Sequence, residues 1–408
     1  MEKKVEILIK KGVSIPNPET VFISEDVNPD RISGENVTIY GGCKIIGEKT
    51  LIMKNSQVGY EAPVTLENTL LGENTKLLGG FFSGSVFVRN NTFGSGAHVR
   101  KGTILEEEAS AAHTVGLKQT ILFPFVTLGS LINFCDCFMA GGTSRKNHSE
   151  VGSSFIHFNY TPLQDKATPS MMGDIHHGVM LNSKPIFLGG QGGIVGPVRI
   201  SYGCLSAAGS IIRKNELKND RLILGGAYKE VSLPRNFNAY KNISNIFNNN
   251  VYYIAGLLSL KSWYKYIRPL FIDNVLSGHL TQGMQDILND CIIERIDRLK
   301  QFCQQLKFYQ ENDAIEKQNI DVAKLKLSNH EKVLNKMELA ENIFNNEFGK
   351  DELNDEGEIF IKAVKKSISR SEETKYINVI KSFTPDERYQ GIAWLFNIEQ
   401  RIINKLLI

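Results

Sequence analysis

Side chains that can transfer a proton or bind an anion are concentrated between Gly141 and Gly193. This interval holds four of the eight histidines in the 408-residue chain. Its reactive residues are Arg145, Lys146, His148, Glu150, His157, Asn159, Tyr160, Lys166, Asp174, His176, His177 and Lys184. Imidazole can act as a general base near neutral pH, and lysine or arginine can hold an anionic substrate. The interval is therefore the expected location of a functional site.

Two histidines are candidates for the general base. His148 precedes Glu150 by two positions. An extended backbone would place both on one strand face, where the carboxylate orients the imidazole. A surface histidine without a role is the competing interpretation of His148. His157 lies between Ile156 and Phe158 and, on a strand, points the opposite way from both.

Metal ligation is the weaker interpretation of the remaining histidines and cysteines. His176 and His177 are adjacent, and adjacent side chains rarely face one metal, so we interpret the pair as a loop tip. Cys135 and Cys137 form a single C-x-C motif with no second pair, which is not typical of a zinc site. We therefore expect no metal.

Apolar residues recur every sixth position in the chain around this interval. The three ladders are Ile46, Ile52, Val58, Val64 and Leu70; Phe81, Phe87, Phe93, Val99 and Leu105; and Ile194, Ile200, Ser206 and Ile212. A period of six fits neither an α-helix nor a simple alternating strand. It is typical of stacked short strands joined by tight corners, the hexapeptide repeat of a parallel β-helix. Of 35 glycines, 29 lie at or before Gly226, which suits such corners.

The pattern divides the chain into two domains. We predict a β-helix over residues 1–232, with a loop excursion at about 141–193 where the hexads fail, and an α-helical domain over residues 233–408. The segment 235–250 is predicted to join them. One helix is indicated by the apolar stripe Ile292, Ile296, Leu299, Cys303 and Leu306. Capping patterns predict further helices starting at Ser328 and Thr384, in a bundle of four to six helices.

Composition excludes several classes of protein. The net charge of +3 is small for a chain of this length, so we expect no nucleic-acid partner. No apolar run reaches the length of a membrane span, and the N-terminus does not have the pattern of a signal segment. The six cysteines are scattered and expected to be reduced. A cytoplasmic location is predicted.

A series of short motifs gives the chain a family resemblance. In order, these are His148-Ser149-Glu150-Val151-Gly152, Phe158-Asn159-Tyr160-Thr161, Lys166, Gly173-Asp174, Gly196-Pro197-Val198 and Ala207-Ala208-Gly209-Ser210. With the hexads, they resemble the left-handed β-helix acyltransferases over roughly residues 13–215. Within that family, they resemble the acetyltransferase domain of the bifunctional enzyme that makes UDP-N-acetylglucosamine. That enzyme's uridylyltransferase domain has no counterpart here, so pyrophosphorylase activity is not expected.

The resemblance implies a fold, a reaction and a set of site residues. It implies a left-handed β-helix, acetyl-CoA as co-substrate, a sugar phosphate or nucleotide sugar as acceptor, and a site between the subunits of a homotrimer. His148, His157 and Asn159 would be catalytic. The expected substrate-binding residues are Arg145, Lys146, Glu150, Tyr160, Lys166, Arg100 and Lys118. The coils that meet acetyl-CoA would include Ala208 and Ser210, and we add Gly190 and Gly192 from the glycine run 189–193 as a source of oxyanion donors.

Two departures from the family separate the chain from its typical members. Thr161 replaces the aspartate that follows the Asn-Tyr pair, and the histidines lie eleven and two residues before Asn159 rather than more than a coil before it. Two alternatives therefore remain open. One is a non-catalytic sugar-nucleotide-binding or scaffold protein whose helical half binds a partner. The other is a metal-dependent hydratase of the γ-carbonic-anhydrase type, with His148, His157 and His177 converging across an interface.

Overall fold

A computed structural model describes residues 3–159, 166–226, 232, 242–313, 320–349 and 353–408. Across these residues the chain forms a parallel β-solenoid of about 11 turns, followed by a region of several α-helices. The fold class predicted from the hexads is thus confirmed. A short helix, α1 (Lys3–Lys11), precedes the solenoid and is not indicated by the hexad pattern.

The solenoid is a three-sided prism whose faces are parallel β-ladders. Face 1 contains β1 (Phe22–Ile23), β3 (Lys44–Ile46), β6 (Val64–Glu67), β9 (Gly80–Ser83), β12 (Ala97–Val99), β15 (Gly116–Leu122), β17 (Asn133–Met139), β21 (Ile156–Phe158), β24 (Gly193–Val195) and β27 (Ile211–Ile212). Face 2 contains β4 (Leu51–Ile52), β7 (Leu70–Glu73), β10 (Ser85–Arg89), β13 (Thr103–Leu105), β22 (Ser170–Met172) and β25 (Arg199–Ile200). Because β15 and β17 are long, they bend round the corner and pair on both faces.

Face 3 completes each turn with two-residue strands. These are β2 (Thr38–Ile39), β5 (Gln57–Val58), β8 (Lys76–Leu77), β11 (Thr92–Phe93), β14 (Ser110–Ala111), β16 (Thr127–Leu128), β20 (Glu150–Val151), β23 (Phe187–Leu188), β26 (Leu205–Ser206) and β28 (Leu222–Ile223). We name the corners by the faces that they join: the 1–2 edge, the 2–3 edge and the 3–1 edge.

The hexad ladders form the interior of the prism. All their members are buried except Ile46 and Phe81, which are half-buried. In those two coils the neighbouring residues Ile45 and Phe82 take the inward position. The exception at Ile46 follows from the length of its coil. Lys44 pairs with Thr65, so this coil is longer than three hexads and the inward positions shift along the strand.

Asparagine supplies several corners with a left-handed backbone. Asn36, Asn55, Asn74 and Asn90 have φ angles between 51° and 60°, a region that asparagine tolerates better than most residues. Their side-chain amides stack between coils, with Asn36 Nδ2 3.0 Å from Asn55 Oδ1 and Asn74 Nδ2 2.7 Å from Asn90 Oδ1. Asparagine therefore supplies the left-handed backbone at these corners, as glycine does elsewhere, and its side chains bond to one another between coils.

The interval 141–193 consists of three insertions between strands that stay in register. The first is an antiparallel hairpin at the 2–3 edge, β18 (Gly142–Ser144) and β19 (Asn147–His148). The second separates β21 from β22 at the 1–2 edge, and its described residues are 159 and 166–169. The third, 173–186, leaves the 2–3 edge and contains helix α2 (Ile175–Gly178). Strands β20 to β23 pair with both neighbouring coils, so the solenoid passes through the expected excursion.

The helical region contains six α-helices among the described residues. They are α3 (Ile243–Tyr266), α4 (Val275–Asp313), α5 (Ile320–Gly349), α6 (Asp355–Arg370), α7 (Tyr376–Lys381) and α8 (Pro385–Leu406). The predicted stripe on α4 is buried throughout. The Thr384 capping box is confirmed, with both of its hydrogen bonds formed. No helix in the described ranges is long and apolar enough to cross a bilayer.

Two helix boundaries predicted from sequence are wrong. Ser328 lies inside helix α5 (Ile320–Gly349) rather than at its start, since serine in a helix interior costs less than about 1 kcal/mol and buried Val333, Ala340 and Phe344 anchor the helix. Residues 243–250 of the predicted joint belong to α3. There the amides of Asn249 and Asn250 donate to the carbonyls of Pro197 and Ala167, at 3.1 and 3.0 Å.

Helix α4 covers face 2 of the solenoid. It contacts β4, β7, β10 and β13 in turn, so it runs across the strands. Gly283 allows the close approach: a Cβ at this position would lie 2.4 Å from Leu70 Cδ2. Further along, Cys291 Sγ lies 3.3 Å from the carbonyl oxygen of Gly102. One of the three faces is therefore enclosed by the helical region.

A buried ionic cluster joins the 2–3 edge to the helical region. Arg268, which follows α3, lies 2.5 Å from Glu106 Oε2, bonds to Glu107, and stacks 3.5 Å from the ring centroid of Tyr376. Tyr264 Oη donates to Glu106 at 2.5 Å. Burial is the main cause that raises the pKa of Glu106, and the arginine opposes it. A carboxylate enclosed in this way requires its cation.

Replacing Arg268 with leucine should lower the free energy of unfolding by about 3–5 kcal/mol, because two buried carboxyl groups lose their cation. Urea denaturation of the full chain measures this. The control is Lys184→Met, which removes an exposed ion pair with Asp220 (2.7 Å) and should change stability little. Equal effects of the two variants would contradict the role assigned to the cluster.

Candidate functional site

The fold distributes the predicted site residues over the three edges of the prism. Arg100, Lys118 and Asn159 lie at the 1–2 edge, and Lys166 is an exposed residue in the insertion that leaves this edge. The hairpin and strand at the 2–3 edge carry Arg145, Lys146, His148 and Glu150. The 3–1 edge holds Gly190, Gly192, Ala208 and Ser210. Tyr160 lies outside the described residues.

Arg100 and Lys118 occupy equivalent positions on successive coils. The backbone N–H of Arg100 donates to the carbonyl of Leu117 at 2.9 Å, and Lys118 is in register with Cys135 of the next coil. Arg100 is exposed, and its guanidinium lies 3.9 Å from Cys135 Sγ. Lys118 is half-buried, with Nζ 3.8 Å from Glu294 Oε1 on α4. The stacking of coils thus places two cations close together, an arrangement suited to binding an anionic group.

Asn159 is held at the same edge by a buried aspartate. Its Nδ2 donates to Asp136, a residue 4% exposed with a φ angle of 55° at the bend of β17. Arg295 of α4, also buried, places Nη2 3.0 Å from Asp136 Oδ1. Neither charge is predicted from the sequence. The sequence does contain a signal for them: Asp136 lies between two cysteines, and Arg295 is next to the apolar stripe of α4.

His157 is a core residue. It is 1% exposed, whereas Ile156 and Phe158 on either side are 39% and 38% exposed, as the alternation predicts. Its Nε2 lies 2.8 Å from Ser170 Oγ. Burial lowers the pKa of His157 to about 4, although the carboxylate of Asp136 opposes this shift. The imidazole is therefore neutral at pH 7 and enclosed within its own subunit.

His148 is more accessible and lies near Glu150. The two side chains are 20% and 43% exposed, with Nε2 of His148 3.7 Å from Oε2 of Glu150, slightly beyond hydrogen-bond length. Arg145 anchors the hairpin, since its Nη1 donates to the carbonyls of Glu108 and Phe125 and to Thr127 Oγ1 at 2.9–3.0 Å. Exposed Lys146 lies in the hairpin turn. This edge presents an imidazole and a carboxylate on a fixed hairpin.

The 3–1 edge brings together the four residues predicted to meet the cofactor. Gly189 packs against Ala208 of the next coil, where a Cβ would lie 2.5 Å from the Ala208 nitrogen. Ser210 is buried, and its Oγ accepts from the N–H of Gly225 at 3.1 Å. The N–H groups of Gly189, Gln191 and Gly193 donate to carbonyls of adjacent coils. These three groups are therefore committed to the solenoid.

The histidines considered for a shared metal do not meet within one chain. His157 is inside the prism, and His148 lies on the hairpin. The interpretation of His176 and His177 as a loop tip is wrong, because both lie on helix α2, with His176 buried. They form a separate cluster with Asp174 and with Glu399 of α8. Sequence spacing could not show the contribution of Glu399, which is more than 200 residues away.

Comparison with known proteins agrees with the architecture. No protein-family model matches the chain. It is 24% identical to the bifunctional protein GlmU of Corynebacterium jeikeium over 229 residues, 56% of this chain and 42% of that protein. GlmU of Thermotoga maritima is 27% identical over 214 residues (52% and 42%), and GlmU of Fervidobacterium nodosum is 27% identical over 226 residues (55% and 44%).

The fold and the similarity together confirm the resemblance inferred from the motifs. About half of this chain is related to GlmU, and its solenoid is consistent with a left-handed β-helix acetyltransferase domain. The match spans less than half the length of these relatives.

The buried state of His157 predicts a specific pH dependence. Its pKa is about 4 in the folded protein and near 6.5 when unfolded, so only the unfolded chain takes up the proton between these values. The free energy of unfolding should fall on acidification from pH 6.5 to 4, by about 3 kcal/mol for this group. Urea titrations of wild type and His157→Gln measure the difference. Parallel pH profiles for the two proteins would show that His157 is not buried as described.

Proposed function

We propose that this protein is an acyl-CoA-dependent transferase, with acetyl-CoA as donor and a sugar phosphate or nucleotide sugar as acceptor. The similarity to GlmU over half of the chain is the observation that carries this proposal. The geometry adds support. Arg100, Lys118 and Asn159, which are named from the family resemblance, lie along one edge of the prism on three different coils.

The proposed reaction requires few groups. The acceptor amine or hydroxyl attacks the thioester carbonyl, so that a C–N or C–O bond forms and the C–S bond breaks. The acceptor proton passes to the general base, and the CoA thiolate is protonated as it leaves. Arg100 and Lys118 would hold the anionic group of the acceptor.

His148 is the proposed general base. It is partly exposed and has a carboxylate beside it, whereas His157 is enclosed. His148 and Asn159 lie at different edges of one prism, so a neighbouring subunit must supply one of the two. A closed ring of three chains brings the edge of one prism against its neighbour and would complete the site between subunits.

An exposed apolar row supports this association. The outward positions of face 3 are polar or charged from β2 to β20 and become apolar at the last three coils. Phe187, Leu205 and Leu222 are paired in register and are 38%, 43% and 62% exposed. A continuous apolar surface of this kind is typical of a protein–protein interface. Face 2 is already covered by α4, so faces 1 and 3 remain for subunit contacts.

Activity is tested by the release of free CoA thiol from acetyl-CoA with glucosamine 1-phosphate as acceptor. His148→Gln should lower kcat by about 100-fold or more, because the base is lost. Lys118→Met should mainly raise KM for the acceptor. The control is His279→Gln, an exposed histidine on α4, which should leave both parameters unchanged. If acetyl-CoA neither reacts nor raises the melting temperature, the transferase proposal fails and the non-catalytic alternative is favoured.

Subunit association is tested by light scattering after gel filtration. Wild type should have three times the mass of the 45.7 kDa chain. Leu205→Glu should release monomers, because a charge would be buried in the apolar interface. Thr92→Glu adds the same charge at an exposed position of the polar coils on this face and should leave the trimer intact. A monomeric wild type would contradict the ring.

A further inference from the structure

Asp174, His176 and His177 bring three ligand atoms together. Each offers one nitrogen or carboxylate oxygen, and these atoms lie within 4.8 Å of one another. His176 Nε2 is 3.4 Å from Asp174 Oδ1, and His177 Nδ1 is 2.9 and 3.0 Å from the two oxygens of Asp174. One nitrogen from each histidine thus faces the same carboxylate, although the two histidines are adjacent in the chain.

The backbone that carries these residues is tightly fixed. Gly173 has a φ angle of 86°, and a Cβ there would lie 2.7 Å from the Tyr202 ring. Tyr202 Oη donates to the carbonyl of Asp174 at 2.7 Å and accepts from its N–H at 3.1 Å. The Asp174 side chain also caps α2 by accepting from the N–H of His177. The positions of the three side chains are therefore set by the fold.

A second layer of residues orients His176. Its Nδ1 lies 3.1 Å from Oε2 of Glu399, and both side chains are about 10% exposed. Ser259 Oγ of α3 donates to Oε1 of the same carboxylate at 2.8 Å. With Nδ1–H donated to Glu399, Nε2 is left with its lone pair toward Asp174. A histidine that ligates a metal commonly has this arrangement, with a carboxylate on its other nitrogen.

We propose that Asp174, His176 and His177 bind a divalent transition-metal cation of the Zn²⁺ type, with Glu399 as the outer carboxylate. Zinc bonds of about 2.0–2.1 Å in tetrahedral geometry separate neighbouring ligand atoms by roughly 3.3 Å. The separations between each histidine nitrogen and the Asp174 carboxylate, 2.9–3.4 Å, are close to this value, and all three ligand atoms lie within 4.8 Å of one another. Histidine nitrogen and carboxylate oxygen are both common zinc ligands.

The site would keep a fourth position for water or another ligand. Asp174, His176 and Glu399 line a cavity of about 190 Å³ between the third insertion of the solenoid and helices α3 and α8. Arg199 also lines this cavity, stacked 3.6 Å from the ring centroid of Tyr252. The metal would thus lie where the solenoid meets the helical region, away from the 1–2 edge assigned to the acceptor.

Zinc titration of metal-free full-length protein by calorimetry tests the proposal. Wild type should bind one Zn²⁺ per chain, and zinc should raise its melting temperature. Co²⁺ in its place should give the visible absorption of a tetrahedral site. Asp174→Asn and the half-exposed His177→Ala should each abolish stoichiometric binding. Glu399→Gln should weaken binding by about 10–100-fold while the ligands remain. His279→Gln, distant on α4, should bind as wild type does.

The competing explanation is a hydrogen-bonded cluster that only joins α2 to α8. In that case zinc would leave the melting temperature of wild type unchanged, while Asp174→Asn would still lower it. That result, or binding that survives in Asp174→Asn and His177→Ala, would overturn the proposal. Circular dichroism of each variant confirms that it is folded before the comparison is made. Acetyl transfer does not enter this test, so its outcome is separate from that of the proposed function.

Discussion

The structure depends on one electrostatic constraint. Buried carboxylates on the solenoid require arginines from the helical region. Asp136 at the 1–2 edge is paired with Arg295, and Glu106 and Glu107 at the 2–3 edge are paired with Arg268. An enclosed carboxylate without a cation costs several kcal/mol. Two edges of the solenoid are therefore incomplete until the helices dock. The helical region is thus part of the core and not an appended module.

This docking determines the surroundings of the proposed site residues. Helix α4 encloses face 2 and lies beside the cationic pair of Arg100 and Lys118, where Glu294 approaches Lys118. The hairpin that carries His148 remains at the next edge. The residues that resemble an acyltransferase site are therefore arranged around the prism, and under the proposed function a site that uses both groups would form between chains. The same docking places Glu399 of α8 beside His176, so the second cluster also requires the helices.

Sequence patterns predict the local part of this structure well. The hexads identify the solenoid because each coil repeats the same inward positions, and alternation around His157 correctly predicts that it points away from Ile156 and Phe158. The apolar stripe of α4 is likewise local. What the patterns miss depends on distant pairing: Asp136 with Arg295, and His176 with Glu399. The interval 141–193 appears irregular because insertions separate strands that still pair in register, and no local pattern reports such pairing.

The length of helix α4 matches the length of the solenoid that it covers. From Gly283, beside Leu70 of β7, to Arg295, beside Asp136 of β17, the helix advances about 18 Å at about 1.5 Å per residue. The four coil steps between those strands span about 19 Å at the spacing of paired strands. About three residues of the helix thus span the height of one coil. A bare solenoid can gain or lose a whole coil without loss of register, but here such a change must be matched by nearly one helical turn. The lengths of the two halves are therefore expected to change together during evolution.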